Sequence, residues 1–384
     1  MAFFFNEPPL DDHLEMIRQQ IRRFVEEVVV PHGEAWELEG LIPRQIFKQM
    51  GDLGFLGIST PEAYGGSGLP VTAAVMFAEE LSRSTFGGFA SSVTVHTDMS
   101  LSHIVKRGSE AQKQRYLPDA CAGNRIGAIC VTEPDAGSDV AALRTRATRD
   151  GDDWIINGAK MFITNGVQGD VYIVAARTDP NGGGSRGLSM FIVERDTPGF
   201  TVARKLDKHG WRCSDTAELY FDDVRIPSGN MIGEEGKGFY YIVDTFQHER
   251  LLVGGLCAGQ CSKAIELTLD YVKTRKAFGK TLWEQQAVRQ KLSDLTARAA
   301  AARALTYQCA RMIENGQNVI AEVSMLKAYA AETLQEVVHG CLQLHGGTGY
   351  MTGTPIERMV RDARVLTIGG GATEVMLEEV AKRL

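Results

Sequence analysis

The chain has 384 residues and a formal net charge of −7, and its hydrophobic content of 44% is that of an ordinary globular protein. This length exceeds one ordinary domain and suits two or three. Because there is no basic excess, the composition argues against nucleic-acid binding, and no apolar run approaches the length of a membrane span.

The sequence contains seven cysteines, at positions 121, 130, 213, 257, 261, 309 and 341, with no CxxC pair and no framework spacing. Cys257 and Cys261 share a helix face, where small core thiols are commoner than a metal pair, so no metal site is predicted. The first nine residues are too short and too acidic for a secretory or mitochondrial signal. These features together predict a cytoplasmic protein.

The first third of the chain has the pattern of a helical domain. Between residues 14 and 32 apolar residues recur at steps of three and four, and Pro31 is expected to close this helix. A second helix is predicted from Pro43 to Met50, and the glycine-rich stretch 61–68 is predicted to be a loop. Further helices are predicted over residues 71–82, 89–106 and 110–121.

From about Arg125 the period of the pattern changes to that of a β domain. Short β-branched or aromatic runs are separated by Asp-Gly, Asn-Gly and Gly-Gly turns, of which residues 181–185 form the loosest. The β region is expected to end at Ile226-Pro227. Strands are predicted over residues 126–131, 154–156, 171–176, 189–193 and 218–221.

Beyond the glycine-rich boundary at residues 233–238 the pattern is helical again. The order helix–β–helix, without βαβ alternation, argues against a doubly wound fold. We therefore predict an α+β protein with an N-terminal helical domain (1–125), a central β domain (126–235) and a C-terminal helical domain (236–384). The C-terminal helices are predicted over residues 239–276, 282–314, 318–345 and 373–383.

Two common nucleotide-binding motifs are absent from the sequence. No G-x-G-x-x-G follows a predicted strand, and Thr274 stands where a P-loop ending in Gly279-Lys280-Thr281 would require its first glycine. A nucleotide cofactor would therefore have to bind through a different kind of site.

An apolar run over residues 126–131 stops at Glu133-Pro134, and Ala136-Gly137-Ser138 then offers backbone that a ligand could approach closely. A strand ending in a polar turn is the simplest interpretation of this spacing. The letters TEP-x-AGSD also resemble the flavin and substrate loop of the acyl-CoA dehydrogenase family, and the likeness runs over nearly the whole chain. The resemblance implies a β domain between two helical bundles.

The stretch 160–166 could be only a strand that runs into an Asn-Gly turn, but its letters resemble the family's K-x-[WYF]-I-T-N-G. In the family the aromatic residue packs against the isoalloxazine ring of FAD and the threonine bonds near N5. These roles fall here on Phe162 and Thr164, where phenylalanine lacks the N–H of the tryptophan found in many members. The same matching implies that Ile129, Val131 and Thr132 line the flavin. It places Gly137 and Ser138 on the side of the flavin or of the pantetheine.

Two C-terminal segments predict, by themselves, a capped helix end and a helix C-terminus with glycine caps. They also resemble family segments that reach the pyrophosphate and adenosine of FAD in a neighbouring subunit, and the planar fork of arginine suits a phosphate. Because relatives are usually tetramers, the resemblance implies a homotetramer. The matching residues are Arg275, Phe278 and Gln286 in one segment and Gln343, Gly346 and Gly347 in the other.

Glu249 lies in the apolar stripe of the predicted helix 239–276, three residues after Phe246 and four before Val253. A carboxylate that faces a core is costly unless it is paired or used, and periodicity alone leaves both pairing with Arg250 and catalysis open. Most acyl-CoA dehydrogenases carry their catalytic glutamate at a later position, where this chain has Gly370. The isovaleryl-CoA and long-chain members carry it on the earlier helix, so the resemblance implies that Glu249 is the base.

The resemblance therefore implies an FAD-dependent acyl-CoA dehydrogenase that forms a trans-2-enoyl-CoA. Glu249 would take the α-proton, a hydride from the β-carbon would pass to flavin N5, and the backbone N–H of Gly370 would stabilise the carbonyl oxygen. Ser138, Ser185 and Arg250 are expected beside the CoA chain. Reduced flavin would pass its electrons to an electron-transferring flavoprotein.

Alternatives to this function are an acyl-CoA oxidase or flavin monooxygenase of the same fold and a non-catalytic nucleotide-binding scaffold. The place of Glu249 in an apolar stripe argues against the scaffold. The likeness is closest to long-chain and branched-chain members, so the expected substrates include isovaleryl-CoA and branched terpenoid thioesters such as citronellyl-CoA.

Overall fold

The computed structural model describes residues 10–182 and 184–384. The first nine residues, on which the expectation about a targeting signal rests, and Gly183 of the loose turn lie outside the described residues. The N-terminal region is helical, as predicted. Its helices are α1 (Asp12–Phe24), α2 (Val30–Glu39), α3 (Arg44–Asp52), α4 (Val71–Ser82), α5 (Gly87–Thr94), α6 (Leu101–Arg107) and α7 (Glu110–Cys121).

One prediction for this region was wrong, because Pro31 does not close the first helix. A π-helical turn over Val25–Val29 joins α1 to α2, and the N–H of Val30 donates to the carbonyl of Val25. Pro31 then lies in the first turn of α2, where a missing N–H is tolerated. The helix therefore continues to Glu39 and ends at Gly40, whose φ is +66°.

A second π-helical turn, over Val95–Ser100, divides the predicted helix 89–106 into α5 and α6. Such turns insert one extra residue into a helix and are frequent at functional sites. This one packs against the long helix of the C-terminal region, and it contributes a side chain to the site described below.

The central region is one eight-stranded sheet with the order β6-β7-β3-β2-β4-β5-β8, and β1 pairs with β4 in parallel. The sequence missed β2, β6 and the two-residue β8. The residues of β2 and β6 are mostly exposed, and four of the five residues of β2 face solvent, so neither strand has the apolar run of a buried one. The strands are β1 (Gly127–Cys130), β2 (Arg146–Asp150), β3 (Asp153–Thr164), β4 (Val171–Arg177), β5 (Leu188–Glu194), β6 (Phe200–Lys205), β7 (Thr216–Pro227) and β8 (Met231–Ile232).

The C-terminal region is a helical bundle around the 37-residue helix α8, in which every residue from 251 to 262 is buried. A helix that is buried on all sides needs apolar residues around its whole circumference, as this stretch has. The elements are α8 (Gly238–Thr274), the hairpin β9 (Lys276–Ala277) and β10 (Lys280–Thr281), α9 (Gln286–Glu314), α10 (Ile320–His345), α11 (Gly347–Tyr350), α12 (Pro355–Ala363) and α13 (Thr373–Ala381). The sequence did not predict α12.

Helix α12 joins all three regions through Asp362, which is buried. Its carboxylate accepts hydrogen bonds from the backbone N–H of Gly87 at 2.8 Å and of Trp211 at 2.6 Å. Burial raises the pKa of Asp362 to about 6. A 3-10 turn over Arg364–Thr367 connects α12 to the glycine turn at residues 369–371, so this junction anchors the segment that precedes the turn.

The predicted α+β architecture of two helical regions around a β region is confirmed. None of the helices in the described part of the chain combines the length and the apolarity needed to cross a lipid bilayer. Within the same residues, no group of three His, Cys, Asp or Glu side chains could hold a metal ion.

Candidate active site

Glu249 is buried in the first third of α8, with 7% of its surface exposed. Its Oε1 has no hydrogen-bond partner among the described residues. Burial raises the pKa of this carboxyl to about 8, although the positive charges of Arg250 and Lys106 oppose the rise. A carboxyl group with such a pKa can gain or lose a proton near neutral pH, which general acid–base catalysis requires.

Arg250 is half-buried beside Glu249 but forms no ion pair with it in the described structure. Its Nε is buried without a hydrogen-bond partner, and its guanidinium lies 5.6 Å from the centre of the Phe246 ring. Burial lowers the pKa of the guanidinium. The ion pair between Glu249 and Arg250 that the sequence left open is therefore not formed, and each side chain keeps a buried polar atom without a hydrogen-bond partner.

The segment of α8 around Glu249 is held by contacts with the N-terminal region. His248 bonds through Nε2 to Oδ1 of Asp98, at 2.9 Å, and Asp98 belongs to the π-helical turn Val95–Ser100. One turn earlier, Asp244 lies 3.5 Å from both Lys106 and Arg107. The hydrogen bond of His248 fixes the rotation of α8 and so the direction in which Glu249 points, whereas Asp244 keeps one cationic neighbour when the other is removed.

A glycine turn at residues 369–371 follows the 3-10 turn Arg364–Thr367. Gly370 and Gly371 have φ values of +66° and +108°, which glycine adopts readily and other residues do not. The backbone N–H of Gly370 has no partner among the described residues, whereas the N–H of Gly369 donates to the carbonyl of Val365 at 2.7 Å. The N–H of Gly371 also has no partner among these residues, so the turn presents two adjacent free backbone donors, at Gly370 and Gly371.

Lys327 of α10 is fully buried and donates a hydrogen bond to the carbonyl of Gly371. Burial lowers its pKa to about 8, and the positive charge of Arg250, which lies near enough to act on Lys327, lowers the pKa further. The sequence reasoning overlooked Lys327. A signal was present, because Lys327 follows Val323 and Leu326 within the apolar stripe of α10.

The residues expected to line a flavin form a second group, at the ends of β1 and β3. The carbonyl of Thr132 accepts the N–H of Met161 at 2.9 Å. Lys160, fully buried, donates to the carbonyl of Val131 at 3.0 Å and pairs with Glu133 at 2.8 Å. The two motifs that the sequence singled out separately are therefore one connected structure.

The pair of Lys160 and Glu133 also holds the chain that follows the first motif. Glu133 accepts hydrogen bonds from the backbone N–H of Arg144 at 2.6 Å and of Thr145 at 2.9 Å. Burial alone would raise the pKa of Glu133, but the Lys160 ammonium and these donors hold it below its usual range. A charged pair that is this fully bonded gives the loop one conformation.

Phe162 stands on an irregularity of β3, where the pairing with β7 shifts register between Lys160 and Ile163. Its φ is +62°, an unfavourable value for a bulky residue, and 66% of its surface is exposed. Backbone strain of this kind persists where the surrounding structure imposes it, and it is concentrated at functional sites. The ring is therefore presented to a ligand or to another chain, which fits the aromatic face of a flavin.

The other residues expected near this group differ in their burial and exposure. Ile129 is half-buried on β1 opposite Ile173, and Thr164 ends β3 opposite Thr216. Gly137 is open, since the nearest atom to a Cβ built there is Thr132 Cγ2 at 3.9 Å. Exposed Ser138 and half-buried Ser185 form no hydrogen bond with Arg250 among the described residues.

The remaining expected cofactor residues lie at the far end of α8. Arg275 follows the last residue of α8, and the ends of α8 and α10 meet where Tyr271 stacks on His345, with ring centres 4.4 Å apart. From Glu249 to Arg275, α8 rises by roughly 40 Å at 1.5 Å per residue. The group at this end comprises Arg275, Phe278 (97% exposed, φ +54°), Gln286, Gln343, Gly346 (φ +57°) and Gly347.

The structure thus separates the sequence-predicted residues into three groups, which lie around Glu249, at the ends of β1 and β3, and at the far end of α8. Among the described residues, no hydrogen bond, ion pair or ring contact joins the flavin-ring group to the group at the far end of α8.

Comparison with protein families matches three consecutive parts of the chain. The N-terminal domain of acyl-CoA dehydrogenase matches residues 11–124, its middle domain residues 128–224 and its C-terminal domain residues 236–384. These segments correspond to the helical, β and helical regions described above.

Curated relatives cover almost the whole chain. The long-chain specific acyl-CoA dehydrogenase, mitochondrial, of Sus scrofa is 42% identical over 373 residues, which are 96% of this chain and 86% of that protein. The isovaleryl-CoA dehydrogenase, mitochondrial, of Pongo abelii is 37% identical over 371 residues, which are 95% of this chain and 87% of that protein.

Solved structures share the fold over a similar length. The crystal structure of an acyl-CoA dehydrogenase from Geobacillus kaustophilus has a TM-score of 0.94 and 40% identity, covering 98% of this chain and 99% of that one. A glutaryl-CoA dehydrogenase from Mycobacterium smegmatis, solved in complex with FADH2, has a TM-score of 0.92 and 31% identity, covering 97% and 95%.

Proposed function

The chain belongs to the acyl-CoA dehydrogenase family, and from this premise we propose that Glu249 is the base of an FAD-dependent α,β-dehydrogenation. As a member of this family the protein is an oxidoreductase that acts on acyl-CoA thioesters. The product is a trans-2-enoyl-CoA. The observation that carries the assignment of the base is the unpaired, buried carboxyl of Glu249, with a pKa raised to about 8.

The chemistry requires the protein to make a weak carbon acid reactive. The α C–H bond breaks, its proton goes to the Glu249 carboxylate, and the electron pair moves toward the thioester oxygen. The free backbone N–H of Gly370 donates a hydrogen bond to that oxygen, which gains negative charge in the transition state. The positive guanidinium of Arg250, which has no ion pair with Glu249, lies beside the CoA chain, with Ser138 and Ser185 along the same path.

The FAD assignment fits several features of the chain. Phe162 presents its ring from a strained position, and the ends of β1 and β3 are held together by Lys160. FAD, when bound, supplies the acceptor for the β-hydrogen as a hydride. The residues that would hold the flavin ring are Ile129, Val131, Thr132, Gly137, Ser138, Phe162 and Thr164.

The distance along α8 supports an oligomer. Because Arg275 lies roughly 40 Å from Glu249 along the helix, the group at the far end would serve the cofactor of a neighbouring chain. We infer a homotetramer from this division and from the family. The residues lent to the neighbour are Arg275, Phe278, Gln286, Gln343, Gly346 and Gly347, of which Phe278 is almost wholly exposed.

The proposed substrates are long or branched acyl-CoA thioesters, isovaleryl-CoA and citronellyl-CoA among them. The similarity to proteins named as long-chain and isovaleryl-CoA dehydrogenases supports this choice, as does Gly370 at the later position, which leaves open space near the substrate. An electron-transferring flavoprotein is the proposed acceptor. All seven cysteines are free and buried, which agrees with a cytoplasmic location.

The proposal is tested with Glu249→Gln, which keeps the size of the side chain and removes the base. The variant should keep its FAD and lose at least about 10²-fold in the rate of α-proton exchange, since general-base catalysis contributes about 10²–10⁴-fold. Exchange is measured by mass spectrometry of acyl-CoA incubated in deuterated buffer. Asp270→Asn, the same carboxylate-to-amide change at an exposed position of α8, is the matched control. Exchange at the wild-type rate in Glu249→Gln would remove Glu249 from the mechanism.

A further inference from the structure

We propose that Lys327 is a positioning residue that holds the glycine turn 369–371 so that the Gly370 N–H meets the thioester oxygen of the substrate. The proposal deepens the function given above and rests on it. It adds a residue from α10 to a site so far described from α8 and the turn.

The first support is that Lys327 is a buried cation without an ion pair among the described residues. Its surface is fully buried, and its ammonium donates to one acceptor in that part of the chain, the carbonyl of Gly371. A buried ammonium without a counter-ion is costly, so its position requires a compensating use. The nearest charges are mixed, because Glu332 and Glu374 attract the ammonium and Arg250 repels it.

The second support is the way in which the turn is held at both ends. On one side the N–H of Gly369 donates to Val365, at 2.7 Å, and on the other side the carbonyl of Gly371 accepts from Lys327. Between these two anchors lies the unpaired N–H of Gly370. Successive glycines have wide conformational freedom, so a donor among them keeps a fixed direction only when its neighbours are tied.

The third support is the partner of Lys327 itself. A buried lysine could have paired with a carboxylate, as Lys160 does with Glu133. Lys327 instead holds a backbone atom one residue from the oxyanion donor, and the first turn of α13 is tied to the same helix where Thr373 donates to Glu332 at 3.0 Å. Helix α10 therefore acts as the support against which the turn is aligned.

The chemical consequence follows from how oxyanion donors work. Such a donor is effective when it lies about 2.7–3.1 Å from the position that the charged oxygen will occupy. Loss of the Lys327 anchor would let the turn relax and weaken stabilisation of the charge, with little change in the binding of the uncharged thioester.

The test compares Lys327→Met, which keeps the length of the side chain and removes the donor, with Lys327→Arg, which restores a donor. Ser324→Ala is the matched control, because Ser324 is a buried polar residue of α10 whose hydroxyl donates to Ile320, within its own helix. The measurements are α-proton exchange, FAD content, and the affinities for a saturated acyl-CoA and for a 3-oxoacyl-CoA. The α-proton of the 3-oxoacyl-CoA is acidic enough to ionise on binding without any redox step.

Lys327→Met should lower the exchange rate and the affinity for the 3-oxoacyl-CoA by about tenfold, less than the loss of a whole oxyanion donor. The affinity for the saturated acyl-CoA and the FAD content should stay within about twofold of wild type. Lys327→Arg should recover part of the loss, and Ser324→Ala should behave as wild type.

Unchanged exchange in a folded Lys327→Met would overturn the proposal. So would equal losses of FAD, of saturated acyl-CoA affinity and of exchange, because those indicate a structural role alone. Where Lys327→Met does not fold, Lys327→Gln is used instead, and the loss of affinity for the 3-oxoacyl-CoA is again compared with the loss for the saturated acyl-CoA. The Glu249→Gln result separates the two ideas, since exchange that survives there refutes the proposed function, whatever Lys327 does.

Discussion

The rate of α-proton removal should depend on pH through the ionisation of Glu249. A base must be ionised before it accepts a proton, and the buried carboxyl of Glu249 has its pKa raised to about 8. In the free enzyme about 1% of this carboxyl is then ionised at pH 6, about 9% at pH 7 and half at pH 8. The value of kcat/KM for exchange should rise about tenfold from pH 6 to 7, about fivefold from pH 7 to 8, and about twofold above that.

The cause of the raised pKa can be tested by removing a nearby charge. Burial raises the pKa, and the positive charges of Arg250 and Lys106 partly offset the rise. Lys106 lies outside the proposed binding residues, so Lys106→Met should move the profile to higher pH and leave the high-pH plateau unchanged. Lys113→Met is the control, since Lys113 is not among the charges that act on Glu249 and instead lies 5.8 Å above the Tyr64 ring.

The assay is deuterium incorporation into acyl-CoA at low substrate concentration, with FAD content checked at each pH. A flat profile between pH 6 and 8 would mean that the carboxyl ionises near its usual value, and the reasoning from burial would then be wrong. A Lys113→Met profile that moved as far as that of Lys106→Met would refute the part assigned to Lys106.

Three further outcomes are expected. In a Glu249→Gly background, Gly370→Glu should restore part of the flavin reduction rate in stopped-flow measurements, and most with straight acyl chains, because a Cβ at position 370 meets no atom within 4 Å. The φ of +66° at this position costs a glutamate roughly 1–2 kcal/mol and so limits the recovery. No recovery would contradict the idea that a glutamate at either position reaches the same α-proton. Thr164→Val should slow flavin reduction by the loss of one hydrogen bond, about 0.5–1.5 kcal/mol, while α-proton exchange persists; loss of exchange would refute its assignment to the flavin. The protein should elute as an FAD-bearing tetramer in gel filtration with light scattering, and Arg275→Ala should release FAD from that tetramer; a monomer with full FAD content would refute the two-chain site.

The burial of Glu249 could be predicted from the sequence because its signal is local. A carboxylate at the centre of an apolar helical stripe departs from the pattern of its own element, and the departure is visible without any tertiary information. The order of helical and β regions was accessible for the same reason, since the period changes near Arg125 and again near Gly238. That architecture was confirmed.

Features that arise from long-range contacts were not accessible. The pairing of Lys160 with Glu133 joins two motifs 27 residues apart, and the anchoring of Gly371 by Lys327 spans 44 residues. The strained conformation of Phe162 depends on where β3 slips against β7, which no local pattern encodes. Pro31 was misjudged because a π-helical turn, itself a product of packing, made room for it.

The length of α8 has a genetic consequence on the proposed assembly. Each chain keeps Glu249 for its own substrate and lends the far end of the same helix, with Arg275, to a neighbour's cofactor. Two inactive alleles, one altered at Glu249 and the other at Arg275, would then complement each other. In a mixed oligomer, a chain altered at Arg275 still has its own Glu249 and can receive Arg275 from a neighbour that is altered only at Glu249. By the same logic, a substitution at the end of α8 would impair the cofactor site of the neighbouring chain, whichever allele encoded that chain.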